Sequence, residues 1–498
     1  MIKRQLVVFL AIIPLLLCSC SSNNGPDYEA LLPLETAPQS TGGNDSGYSS
    51  GDTIIIYQEK LSSGVDFRLY EDGKLVLAGA DITGSIAKEK AYLEHSSIIT
   101  TIELGNGVVN VGDKALSGLT GVQTLIIGDS VKTAGYSAFA DCTGLTQVEI
   151  GAALITLGDY AFSGCSGLRD IELNGAVENV GSYCFSGCIA LKNAILGETI
   201  KNMGNGIFNG CSSLSSIRIK CNVGDSAFKD CASLESVMFE DTVTEIGGRS
   251  FSGCTSLQNI SFGSGLLKIG AYAFSDCAAI RSLTFPKSLV AIENEAFSKC
   301  ASLDTIIFTD GIALALGNGA FSGCASLKYL DLGNSIVGLG DLCFSDCTSL
   351  MSINIGEKVT QMGSNILSGC TALTNIEVNS NIGKSSFKNC TTLESLVLGT
   401  SVKIIGEQAF SGCTTVREII LPEGVEEIGE QAFFGCTSLS EITLPKTLKK
   451  ISSEVFYETR MLHDIFYRGS QTEWNKVTKE KGWADNAGVD YITKYKAA

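Results

Sequence analysis

Residues 231–254 read CASLESVMFEDTVTEIGGRSFSGC, and this stretch decides the fold. Leu234, Val237, Phe239, Val243, Ile246, Phe251 and Cys254 are apolar, and Gly247 follows the isoleucine. Alternation across Val237 and Phe239 has the period of a β-strand. The glycine marks a bend, where a missing Cβ permits unusual backbone angles or close approach. Working outward, the same phase recurs along most of the chain. Fourteen cysteines fall in one column: Cys142, Cys165, Cys188, Cys211, Cys231, Cys254, Cys277, Cys300, Cys324, Cys347, Cys370, Cys390, Cys413 and Cys436. Most steps are 23 residues, two are 20 and one is 24. Leu119 stands one step before the column and Thr459 one step after. The template is L-x-x-I-x-L-x-x-x-V-x-x-I-G-x-x-A-F-x-x-C.

A fixed period of this size signals a solenoid before any other fold. One turn cannot bury enough apolar surface to offset the entropy of ordering its backbone. Neighbouring turns must therefore share apolar faces and edge hydrogen bonds in one continuous core. The expected architecture is a parallel sheet stacked from about sixteen turns, with caps at both ends. The 498 residues then count turns of one elongated unit and not three ordinary globules.

A larger period lies above the small one. CFSGC (184–188) recurs as CFSDC (343–347), NMGNGIFNGC (202–211) as QMGSNILSGC (361–370), and NVGDSAFKDC (222–231) as NIGKSSFKNC (381–390), each 159 residues on. Both 20-residue steps obey this offset, which points to duplication of a seven-turn block. In each short turn three residues are missing between strand and glycine, so the loop there must be tighter.

These residues resemble the BspA-like leucine-rich repeat family of bacterial surface proteins. The resemblance covers about 100 to 460. Val65 to Gly79 (VDFRLYEDGKLVLAG) is similar to the family's N-terminal hairpin region, and Phe466 to Trp474 (FYRGSQTEW) to its closing segment. The resemblance implies a curved parallel sheet on a surface-exposed protein used for binding or adhesion. Three departures stand out. No column of Asn follows the strand, Glu293 replaces the column glycine, and Leu367 replaces the Phe.

The N-terminus reads as an address. Lys3 and Arg4 precede an apolar run from Leu6 to Leu17, too short to span a bilayer as a helix. Leu17-Cys18-Ser19-Cys20 resembles the lipobox of bacterial lipoproteins, and Cys20 fits the acylated position because small Ser19 precedes it. Residues 1–19 are expected to be a signal peptide. Their removal takes two cations and no acid, moving the net charge from -17 to -19. Residues 20–53, rich in Ser, Gly, Asn and Pro, read as a flexible tether. The remaining divisions are a cap over 54–101, repeats over 102–460 and a cap over 461–498. The lipid on Cys20 would anchor the chain in the bacterial cell envelope, on the outer-membrane surface.

With 36 Lys and Arg against 53 Asp and Glu, the chain is no general nucleic-acid binder. The cysteine column has no C-x-x-C spacing, and equivalent positions in successive turns form a line, not a tetrahedron, which argues against metal. Disulfides between turns are harder to dismiss, but parallel Cβ vectors hold the sulfur-bearing carbons too wide. A buried ladder of small hydrophobes is the expected reading of the cysteines, and the Phe column is expected to be core likewise. Cys184, Cys221 and Cys343 lie outside the column.

Only two histidines exist, His95 and His463, and both lie outside the regular turns, so a nucleophilic triad is not expected. Acid pairs such as Asp170 with Glu172 arise easily among 53 acids and read as solvated surface. The glycines recur with the turn and do not open a helix, as phosphate loops do. Trp474 and Trp483 read as a cap over the last turn's apolar end. No enzyme activity, cofactor or metal is expected.

The candidate ligand face is the set of strand positions pointing away from the core: Asp170, Glu172, Ser216, Arg218, Lys220, Asn259, Ser261, Tyr329, Asp331, Asn354, Asn375 and Glu377. It reads as polar, with small side chains and few aromatics. Arg218 and Lys220 form its one basic spot, able to pair with an acidic partner. The expected partners are extracellular or cell-surface proteins of a host matrix or of other bacteria. Glycans are the second class, weakened by the scarcity of exposed aromatics.

Overall fold

The computed structural model describes residues 53–309 and 313–488, and the backbone of 492–495. The signal segment, Cys20 and the tether up to Asp52 therefore lie outside the described residues.

The described chain opens with an antiparallel meander, Ile55–Lys60, Asp66–Tyr70 and Lys74–Ala78. Phe67, Leu69, Leu75 and Leu77 alternate inward and are fully buried. The third strand then pairs in parallel with Thr101–Leu104, so the hairpin expected over 65–79 supplies the first edge on which the repeats stack. From there, seventeen parallel strands of three or four residues follow one another up to Asp464–Tyr467, and Ile492–Tyr495 adds an eighteenth beside it. Within a strand the pattern is strict. In Asp170–Leu173 the residues Ile171 and Leu173 are buried while Asp170 and Glu172 are exposed. Register follows the sequence period: Asp170 faces Asn193 and Leu173 faces Leu196. A second row of two-residue strands, such as Asn179–Val180 beside Asn202–Met203, stacks on the other side of the turn.

The two short turns interrupt the second row. Its first ladder ends at Asn202–Met203, and Val223 makes only an isolated bridge to Ile246. The duplicate turn does the same, with Ile382 bridging Ile405. In ordinary turns a backbone carbonyl accepts from two amides of the next turn, as Glu178 O does from Lys201 and Asn202 N–H. Where three residues are missing, an asparagine side chain takes over. Asn222 Oδ1 accepts from the amides of Thr244 (2.8 Å) and Glu245 (3.0 Å), and Asn381 Oδ1 from those of Lys403 (2.8 Å) and Ile404 (3.2 Å).

The bend glycines separate into two columns with different causes. Glycines at the template's I-G position, such as Gly158 after Leu157, have ordinary φ, but a Cβ on Gly158 would lie 2.7 Å from the Gly135 carbonyl carbon one turn back. Close approach of successive turns demands them. The residue before each cysteine instead sits at positive φ, and Gly187 (φ 73°), Asp276 (φ 60°) and Asn389 (φ 62°) share that position. Glycine, Asp and Asn are the residues that tolerate this region best. The exception at Glu293 has a local reason. In several turns an Asp or Asn side chain caps the amide of the next turn, as Asp159 Oδ1 does for Ser182 N–H at 2.7 Å. Gly248 has no side chain to cap Ala271, and Glu293 Oε2 reaches back from the following turn to accept that amide at 3.1 Å.

All fourteen column cysteines are buried free thiols. Each Sγ–H donates to the backbone carbonyl of the residue at the Phe position one turn earlier, at 3.1–3.4 Å. The ladder is therefore core, and it is hydrogen-bonded core. Beside it the Phe rings stack at 4.8–5.8 Å with interplanar angles of 3–21°, interrupted only where buried Leu367 stands between Phe344 and Phe387. At the far end Trp483 meets Phe456 edge-on at 6.0 Å and Trp474 meets Trp483 at 6.0 Å. The tryptophans close the apolar end, with Trp474 seated by the capping box of Ser470 and Glu473.

Candidate functional site

Because side chains alternate along a strand, the register of the main sheet lines up two outward columns, and the predicted face residues lie on or next to them. Asp170, Glu172, Ser216, Arg218, Asn259, Ser261, Tyr329, Asp331, Asn354, Asn375 and Glu377 are exposed, and Lys220 is half-buried. They fall into three groups and not one. Asp170 and Glu172 form the first, where Asn193 Nδ2 donates to Asp170 Oδ1 at 2.6 Å and Asn174 donates to Glu172. Ser216 and Asn259 flank Ser236 in the second, with Ser261 beside Met238. In the third, Tyr329, Ser352 and Asn375 share one column and Asp331, Asn354 and Glu377 the other.

The second group corrects the reading of a free basic spot. Arg218 is paired with Glu240 and Lys220 with Glu198. Both acids lie 22 residues from their partner, at loop positions that the turn period brings alongside the strand end. The hydrogen bond from Lys220 holds the Glu198 carboxyl below its ordinary range. Two cations in the sequence are thus two neutralised pairs on the molecule, and no positive patch for an acidic partner remains there.

The third group surrounds a hollow of about 480 Å³. Asp331, Asn354 and Glu377 line it from three successive strands, joined by Asn334, Glu357 and Asn379 from the loops that follow. Asn354 Nδ2 donates to Asp331 Oδ1 at 2.9 Å, and the amides of Gly333 and Gly356 donate to Asp331 (3.0 Å) and Asn354 (3.1 Å). Asp331, Glu357 and Glu377 make no ion pair with a described residue. Tyr329, 65% exposed, stands on the same face two residues before Asp331.

Sequence reasoning missed two further features. A groove of about 730 Å³ lies at the same strand ends in the preceding turns, lined by Phe262, Thr284, Phe285, Pro286, Lys287 and Thr309 among others. Outward Ile307, Val397 and Ile420 are each about half exposed, so the face is less polar than its small residues suggest. The signal was present in the sequence, at outward strand positions of the same template.

Catalytic chemistry finds little to work with among the described residues. Burial pushes the thiols of Cys188, Cys231, Cys390 and Cys436 up to about 12, the direction opposite to an activated nucleophile. His95 Nδ1 lies 2.8 Å from the Ala91 carbonyl oxygen, with its ring against Tyr57. His463 lies far along the chain, beside Asp464 at 3.5 Å. No three His, Cys, Asp or Glu residues among the described ones are placed to hold a metal ion. No described helix is long and apolar enough to cross a membrane.

Comparison with known proteins agrees with the architecture. A crystal structure of a leucine-rich repeat protein from Bacteroides ovatus is similar over 89% of this chain and 100% of that one, with 24% identity and a TM-score of 0.58. A leucine rich cell surface protein from Faecalibacterium prausnitzii aligns over 85% of this chain and 98% of its own, at 19% identity and a TM-score of 0.31. A leucine-rich repeat protein from Eubacterium ventriosum aligns over 90% and 97%, at 18% identity and a TM-score of 0.28. No curated protein sequence matches the chain. The model of the BspA type leucine rich repeat region matches in six copies, over residues 87–215, 221–315, 313–384 and 380–478. The chain belongs to the BspA-type leucine-rich repeat family.

Proposed function

We propose that this chain is a non-enzymatic, lipid-anchored surface protein of a bacterial cell, and that it binds proteins of a host or neighbouring cell through the outward face of its main sheet. The observation that carries the reading is the face itself. Through seventeen turns the inward positions are spent on a shared core, while the outward columns stay largely open to solvent. Repeat solenoids generally bind along such extended surfaces. Anchorage rests on the basic and apolar N-terminus and the Leu-Cys-Ser-Cys segment, with residues 20–53 as the tether.

The binding reading is tested with the purified full chain against immobilised host matrix proteins and a glycan array. Saturable binding to a protein, together with weaker cell adhesion when the chain is deleted, is the expected result. Binding to glycans alone would replace the protein reading by the glycan one. The anchor is tested by feeding cells labelled fatty acid: the natural chain should incorporate label and Cys20→Ala should not. Unchanged labelling would refute the assignment of Cys20.

A further inference from the structure

We propose that the chain modifies itself at Asn106, and more slowly at Asn174, by attack of the following glycine's backbone nitrogen on the side-chain amide. The inference stands apart from the binding reading. Five Asn-Gly pairs lie among the described residues: 106–107, 174–175, 205–206, 209–210 and 318–319. A sixth, 24–25, lies outside them. Asparagine is among the labile side chains. A following glycine hinders the attack least, because it has no Cβ to shield the nitrogen or restrict the backbone. In an unfolded chain the five pairs would react at comparable rates. The fold divides them into two classes.

Asn205, Asn209 and Asn318 are locked in the bends. Gly206 N–H donates to the Asp225 carbonyl at 2.8 Å, Gly210 N–H to that of Lys229 at 2.8 Å, and Gly319 N–H to that of Asp341 at 2.7 Å. Asn205 and Asn318 are held twice, since each Oδ1 also accepts an amide of the next turn at 2.9 Å. Each of these glycine nitrogens must give up a bond to the neighbouring turn before it can attack. Asn106 and Asn174 lie instead in the loops that follow Thr101–Leu104 and Asp170–Leu173. Both are exposed, and their glycines sit at φ 90° and 77°. Among the described residues neither Gly107 N–H nor Gly175 N–H has an acceptor. Asn174 Nδ2 donates to Glu172, whereas the Asn106 side chain has no partner among the described residues. Asn106 is therefore free at both reacting groups and ranks first.

The step needs only water and hydroxide. The Gly107 nitrogen bonds to Asn106 Cγ as hydroxide takes its proton. The Cγ–Nδ2 bond breaks, and the leaving nitrogen takes a proton from water and departs as ammonia. Water then opens the cyclic imide at either carbonyl, giving aspartate or isoaspartate and one new negative charge. The aspartate product suits the fold, because Asp129 holds the equivalent place one turn on and caps the Ala152 amide at 2.9 Å. Isoaspartate adds a methylene to the main chain where there is little room. Asn106 O accepts Gly79 N–H at 2.8 Å, and Gly107 packs on the Gly79 backbone, so the seam between hairpin and first repeat is disturbed. At Asn174 the new carboxylate falls beside Glu172 and adds like charge to the outward face.

The test incubates the purified full chain in heavy-oxygen water, in mildly acidic and mildly alkaline buffer, with and without unfolding urea. Peptide mass spectrometry follows label at each of the five asparagines. In the folded chain Asn106 should react at least about tenfold faster than Asn205, Asn209 and Asn318, the factor that breaking one hydrogen bond costs. Asn174 should fall between, and the rates should rise with pH because the nitrogen must lose its proton. In urea the five rates should converge. Hydrogen exchange at Gly79 should quicken as isoaspartate accumulates at 106. Asn106→Gln would have to close a larger ring, so it should stay unmodified there, unfold at the natural temperature and show unchanged exchange at Gly79 on incubation. Equal rates at all five sites of the folded chain overturn the proposal, as does any bend asparagine reacting ahead of Asn106. A rate order that persists in urea overturns it too, because local sequence and not the fold would then set the site.

Discussion

The cysteine at the end of each turn is a small hydrophobe that also carries a hydrogen. Most of the thiols donate to a carbonyl of the previous turn that already accepts one amide, as Phe228 O accepts from Cys231 N–H and Cys254 Sγ–H. Valine would fill similar space without the donor, and alanine would leave a void. Cys254→Ala is expected to cost about 1–3 kcal/mol, combining the lost bond and the cavity; the shift of the urea unfolding midpoint measures it. The buried thiols also tie stability to alkali. Folded values of about 12 at Cys188, Cys231, Cys390 and Cys436 lie above the ~8.5 of an exposed thiol. Between those limits the unfolded chain loses protons that the folded chain keeps, so the stabilisation is complete below about pH 8.5 and is lost as pH rises toward 12. Each thiol exposed on unfolding contributes a slope of about 1.4 kcal/mol per pH unit. Urea midpoints from pH 8 to 11 should fall, and fall less steeply when these four cysteines are alanine. At this scale the sequence revealed the columns but not the cause of each. The glycine after isoleucine and the glycine before cysteine look alike in the chain, since one requirement lies in the backbone of another turn and the other in its own φ. Gly158→Ala should therefore cost more than about 1–3 kcal/mol through overlap with Gly135, whereas Gly187→Asp should change stability by less than about 1 kcal/mol, because other turns place Asp there. Thermal unfolding of the two variants gives the comparison.

At the scale of the turn, the hydrophobic period announced strand, bend and closing loop correctly, because burial on one side and solvent on the other is written in alternation. Spacing also announced the two short turns as tighter. It did not announce what replaces the lost backbone carbonyls, since a side-chain cap depends on where the next turn's amides lie. Asn222 and Asn381 occupy equivalent places 159 residues apart, and Asp81 does the same in the N-terminal cap, accepting from Val109 (2.9 Å) and Asn110 (2.8 Å) amides. An oxygen acceptor is the common requirement. Asn222→Asp should be near neutral and Asn222→Ala should cost about 1–2 kcal/mol, in the range of other side-chain caps on backbone amides. Amide hydrogen exchange at Thr244 and Glu245 should quicken in the alanine variant alone. Equal exchange in both variants would remove the capping account.

For the molecule as a whole, the repeat made the architecture legible and left the site half hidden. Inward positions answer to their neighbours one turn away, so a single chain states them about sixteen times over. Outward positions carry no requirement shared by every turn, and each is stated once. The sequence therefore placed Asp331, Asn354 and Glu377 on one face, but the pairing of Arg218 with Glu240 and of Lys220 with Glu198 depended on loop residues outside the strand columns. If register between identical turns is what specifies the stack, a whole turn should be removable. Excision of residues 166–188 joins Cys165 to Ile189 and keeps every column in phase. Gly204 then meets the turn of Gly158, Cys211 donates to the Phe162 carbonyl, and Asn205 N–H takes the place of Ser182 at Asp159. Deleting only 166–177 shifts outward residues such as Lys192 to positions reserved for the core, here the place of buried Val180, and leaves polar groups buried without partners. The 23-residue excision should keep the β-rich circular dichroism and lower the melting temperature by less than about 5 °C, since stability in such arrays is close to a sum over turns and their interfaces. The twelve-residue deletion should lose a cooperative transition. If both deletions fold equally well, or both fail, specification by turn register is wrong.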